Sequence, residues 1–210
     1  LTSVQINALA SDDLKALTTT QVRALTSDQL SKLSSDQIAL MATDDIAALG
    51  TGQISHLSTA AIAALTTAQA KALTTASINA LTSAQVTAIE TADLAAMSTA
   101  QLSKLGTAQV AQLTSVQVAA LTSGQVKSLN SDQVAALTSA QLNALTSSQL
   151  PSLSTAQVRA LTTDQLSKLT TTQIVGLSTA QVAALSTGQV AALTSVQINA
   201  LASDDLKALT

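Results

Sequence analysis

Apolar residues recur along this chain with a period of eight. Leu, Met or Ile opens every unit from residue 1 onward, and Val, Ile or Leu stands five places later in all units except at Ala70. The type is clean in Leu113-Thr114-Ser115-Val116-Gln117-Val118-Ala119-Ala120. There are 26 such octads without insertion or deletion, and Leu209-Thr210 begins another. Place one departs from Leu only at Met41, Ile89 and Met97. Place three is Ser or Thr throughout, and place five is Gln in 20 octads. Fixed apolar places separated by fixed polar ones mark a repeat array with one continuous core.

The polar places spell a helix start. Place two is Thr, Ser, Asn or Gly in 22 octads, all good N-caps. Gln follows three residues later and completes a capping box, in which cap side chain and Gln side chain each satisfy the other's backbone N–H. Place one then falls just before the cap and place six at the fourth helical position, the pair that forms a hydrophobic staple. Each octad is therefore expected to hold one very short helix.

Charge supports this reading independently. The acidic residues sit at places two, four or five, and the basic residues at places seven or eight. Acids near a helix N-terminus and bases near its C-terminus complement the macrodipole, so a polarity renewed every eight residues means a helix begun every eight residues. Asp replaces Gln at place five in four octads, and there place two is Ala10, Ala42, Glu90 or Ala202. The expected substitute is the place-three hydroxyl (Ser11, Thr43, Thr91, Ser203), capping one residue later with carboxylates in the first turn.

One continuous helix fails on geometry, because eight residues advance about 800° and the Leu row would drift about 80° per octad. A β-solenoid is the alternative, since short repeats and Thr suit it. Against it, Ala and Gln are poor strand residues, and places one and six would face opposite sides of a strand. The fold class expected is all-α: a narrow solenoid of very short helices, with places one and six inward and about three octads per turn. A lone octad is not stable, because burying one Leu and one Val contributes less than ordering eight residues costs. The array, 1–210, is read as a single continuous domain and as a segment of a longer repetitive protein. Residues 1–18 recur unchanged at 193–210, the mark of a large duplication or long-range tandem.

Two local readings follow. Pro151 at place seven is a misfit, so either the helices last one turn or the octad 145–152 is broken. Gly holds no regular place after the helix, so the junction is expected to run abruptly through the Leu of place one. Replacing Gln117 alone with Ala is expected to cost little, and replacing every place-five Gln to abolish folding.

Composition removes function classes more readily than it assigns one. There is no Phe, Trp, Tyr or Cys, and the net charge is −3. That balance gives no reason to expect nucleic acid, and no apolar run reaches the ~18 residues of a membrane span. No signal peptide is visible. His56, the one His, reads as a surface substitution, and Met41 and Met97 as core filler. The pairs Asp12-Asp13, Asp44-Asp45 and Asp204-Asp205 lack the Gly-rich loop of a calcium site and read as first-turn charges. No base stands at a fixed spacing from any Ser or Thr, so no catalytic, cofactor-binding or metal residue is assigned and no enzyme is expected. Thr rows raise ice binding. Yet place three is Thr in 14 octads and Ser in 12, so the methyl is dispensable and capping fits better.

Leu-Thr-x-x-Gln-Val-x-Ala in tandem, as at 81–88 and 113–120, resembles the octapeptide arrays of very large bacterial surface or secreted proteins, often labelled haem-utilisation or adhesion proteins. The resemblance implies an extracellular or cell-surface filament, stalk or spacer, with adhesin-type binding of a surface or glycan as the alternative. The haem label finds no axial ligands in this composition. Copies lacking capping repeats are expected to associate end to end, or laterally through Ala, Ser and Thr surfaces, into fibres.

Overall fold

A computed structural model describes residues 2–209. Among them are 25 α-helices of four to six residues and one 3-10 helix, with no strand, so the β-solenoid is excluded. Each α-helix occupies one octad, begins at place three and ends between places six and eight. The expected junction is found. In Leu81 and Thr82 the chain is extended (φ −60°, ψ 139° and φ −72°, ψ 158°), and the next helix starts at Ser83. Among the described residues none has positive φ, so glycine is not required for any turn there.

The chain forms two compact units, 1–112 and 113–210, each a helical solenoid. In both, a helix packs against the one three octads away, so the helices stack in three columns. One column of the first unit runs Thr19–Arg23, Thr43–Ala48, Thr67–Ala72, Thr91–Ala96. Another runs Ser11–Lys15, Ser35–Leu40, Thr59–Ala63, Ser83–Ala88, Thr107–Gln112. In the second unit Ser131–Ala136, Thr155–Ala160, Thr179–Ala183 and Ser203–Ala208 stack likewise. Three octads per turn agrees with the expectation from the sequence.

Places one and six fill the core. Val86, Leu94 and Leu142 have no exposed surface, and Leu81 and Leu137 almost none; Met41 and Met97 are buried with them. The capping box forms throughout the Thr/Ser-x-x-Gln octads. In the octad 81–88 the Thr82 N–H donates to Gln85 Oε1 at 2.8 Å, and the Gln85 N–H donates to Thr82 Oγ1 at 3.2 Å. Some helices end early where Ser stands at place seven. Ser55 and Ser103 donate their hydroxyls to the carbonyls of Gly52 and Ala100, and helices Thr51–Ile54 and Thr99–Leu102 stop at four residues. Such back-bonding competes with the helical ladder.

One expectation about caps is corrected. At Ala10, Ala42, Glu90 and Ala202 the helix still begins at place three, and no side chain caps it. A start shifted to Ser11, Thr43, Thr91 or Ser203 would rotate the place-six side chain out of the core. Leu14, Ile46 and Leu94 are at most 1% exposed. Keeping such a side chain buried outweighs a cap worth about 1 kcal/mol.

Pro151 breaks its octad, as one of the two sequence readings holds. Thr146 and Gln149 keep their reciprocal bonds, but the helix is replaced by a turn and the 3-10 segment Leu150–Ser152. Leu150 and Leu153 nevertheless remain buried. Pro151→Ala therefore restores a helical N–H without disturbing the core and is expected to stabilise the array by about 1 kcal/mol. Thermal unfolding followed by circular dichroism checks this; an unchanged or lower midpoint would show that the 3-10 turn is itself preferred.

Candidate functional site

The most constructed feature of the surface-poor interior is a row of glutamine side chains. Place five is expected to be a capping partner, a role an exposed side chain can fill, yet Gln69, Gln85, Gln157 and Gln189 are only 1–3% exposed. Their oxygen serves the cap of their own helix. Their amide nitrogen crosses to the preceding turn. Gln85 Nε2 donates to the carbonyls of Ile54 at 2.9 Å and Leu57 at 2.7 Å. Gln69 donates likewise to Ile38 and Met41, and Gln189 to Val158 and Leu161. The acceptors lie 31 and 28 residues earlier each time: the place-six carbonyl of one helix and the place-one carbonyl just after that same helix. Each glutamine thus joins one helix N-terminus to the exposed carbonyls of the turn below.

The carboxylate octads solve the same position differently. Asp93 Oδ1 accepts the hydroxyl of Thr67 at 2.6 Å, and Asp205 Oδ1 that of Thr179 at 2.8 Å. These donors stand at place three, three octads back. Other place-three hydroxyls also bridge turns: Ser35 donates to the Ala60 carbonyl and Ser123 to that of Ser148. Place three therefore serves the seam between turns, not the cap assigned to it from sequence.

Asp45 is the exception. It is 3% exposed, and among the described residues no side chain of the turn below donates to it. Burial pushes its carboxyl above the ordinary aspartate range, the charge of Asp44 pushes the same way, and the Ala42 backbone N–H draws it partly back. Two of the Asp pairs split, one outward and one inward: Asp44 and Asp204 are exposed while Asp45 and Asp205 are buried; Asp12 and Asp13 are both exposed. No group of three or more His, Cys, Asp or Glu side chains comes together among the described residues.

The remaining candidates are isolated. His56 is exposed, and its Nδ1 lies 2.6 Å from the Gly52 carbonyl, to which it donates. Lys168–Asp164 and Lys207–Asp204 form solvent-exposed ion pairs of little energetic weight. A cavity of about 210 Å³ opens beside Pro151, lined by Leu145, Leu150, Thr170, Gln173 and Gly176 among others. It arises where the broken helix meets a glycine at place eight, and no charged side chain enters it. No helix among the described residues is long and apolar enough to cross a membrane.

Sequence pattern carried a signal for the ladder. Glu serves a capping box as well as Gln, but no place-five residue is Glu. Only an amide supplies both the acceptor for the cap and the donor for the turn below.

No curated protein matches the chain. The model of the ALTTAQ repeat matches it in seven overlapping segments, which together span residues 6–75 and 86–210. The six residues appear as written at Ala64-Leu65-Thr66-Thr67-Ala68-Gln69, running from place eight across the junction and cap to the glutamine of the ladder. With the match extending over most of its length, the chain belongs to the ALTTAQ repeat family.

Proposed function

We propose that the chain is a structural segment of an extracellular filament, stalk or spacer, working by reach and stiffness. The observation that carries this reading is the glutamine ladder. Its polar groups are spent on joining one turn to the next: oxygen to the cap, nitrogen to the carbonyls below. Buried amides bonded on both sides rigidify an array, since an unpaired one costs its full desolvation. End-to-end or lateral association of copies into fibres belongs to the same reading.

The chain is expected to scatter as an extended particle, with a radius of gyration well above the ~17 Å of a compact globule of this length. A value near that figure by small-angle X-ray scattering would sink the spacer reading. The ice-binding alternative loses support from the place-three hydroxyls that bond across the seam, since they are not held in an outward array. An adhesin role would show as saturable binding on a glycan array.

A further inference from the structure

The turn that carries Asp45 differs from every glutamine turn in what it offers the turn below. Helix Thr43–Ala48 packs between Thr19–Arg23 and Thr67–Ala72. By the register of the ladder, position 45 faces the carbonyls of Leu14 and Leu17, as position 69 faces those of Ile38 and Met41. Gln69 donates there; an ionised carboxylate has only lone pairs to set against carbonyl oxygens. Asp93 and Asp205 escape this because a threonine hydroxyl of the turn below reaches each of them. Asp45, 3% exposed, receives no such hydroxyl among the described residues.

We propose that Asp45 is a proton-operated joint: ionised, it leaves the seam to the turn below unfastened, and protonated, it donates where glutamine donates elsewhere. The charged groups around it are few and offset one another. Arg23 stands on the helix below and Lys71 on the helix above, both at exposed places; Asp44 lies on its own helix; Asp12, Asp13 and Lys15 belong to the helix whose end the position faces. Among the described residues none forms an ion pair with Asp45, and burial among Ile46, Leu49 and the neighbouring turns disfavours its charge.

The sign follows from linkage. A carboxyl raised in the folded state destabilises folding when ionised, and the loss is recovered as pH falls from the folded value toward the ordinary aspartate value of about 4. The array should therefore tighten, not loosen, on mild acidification at this seam. Asp45→Asn supplies a neutral side chain with a donor at every pH. Its thermal midpoint is expected to exceed that of the parent chain by about 2–4 °C at pH 7 and by about 1 °C or less at pH 4.5. A gap that stays constant with pH overturns the proposal. Nuclear magnetic resonance of the unaltered chain gives a second reading. The Asp45 carboxyl should titrate above the ordinary aspartate value, and the amides of Leu14–Leu17 should shift with it. Titration in the ordinary range, or shifts confined to residues 42–48, also overturns it.

Discussion

Gln85→Glu is expected to destabilise the protein by about 2–4 kcal/mol at neutral pH, although the substitution keeps length, shape and capping oxygen. If place five served only the capping box, glutamate would be as good as glutamine and the change would be silent. The structure requires more. Gln85 is 2% exposed, and its Nε2 donates to two carbonyls of the preceding turn. Glutamate puts a second acceptor where the donor was, against Ile54 O and Leu57 O, in a place water does not reach. Chemical denaturation at pH 7 measures the loss, and an unaltered midpoint would return place five to a purely local role. Burial and the reciprocal cap bonds revise the expectation that replacing Gln117 alone costs little. Gln117 is 3% exposed and bonded to Thr114 in both directions. A single Gln→Ala change is expected to cost on the order of 2 kcal/mol.

Leu142→Ala carries the other large effect, about 2–5 kcal/mol. Leu142 fills place six of its octad without exposed surface, and its carbonyl also receives Gln173 Nε2 at 2.8 Å. Truncation leaves a void that columns of short helices have little freedom to close. In a stacked array stability is a sum of repeat and neighbour terms, so the damage should be local. Hydrogen exchange should quicken in octads 113–120 and 161–168, which pack against the site, and much less toward residue 209. Uniform acceleration along 113–209 would instead mean that the second unit unfolds as a whole.

Much of the fold was legible because one rule is restated 26 times. Place one, place six and the Thr-x-x-Gln start fix helix register, core face and junction, and the structure keeps all three. The absence of Glu at place five signals that the amide is needed, but its partner was hidden, because it lies 28 or 31 positions earlier and no pattern within an octad reveals such a distance. The caps of the Asp octads failed for a related reason. Local chemistry favoured moving the helix start by one residue, but Leu14, Ile46 and Leu94 are held by turns far away in sequence. Pro151 left two outcomes open, one-turn helices or a broken octad; the octad is broken into the 3-10 segment Leu150–Ser152, and tertiary burial still holds Leu150 and Leu153 in the core.

The ladder is directional. In every bond given above, the glutamine nitrogen reaches back to carbonyls already passed by the chain, never forward. A chain synthesised from its N-terminus thus finds, for each new octad, its acceptors already made. Folding can keep pace with elongation, each turn serving as template for the one that follows. A half-made array need not wait for its end before it hides its core.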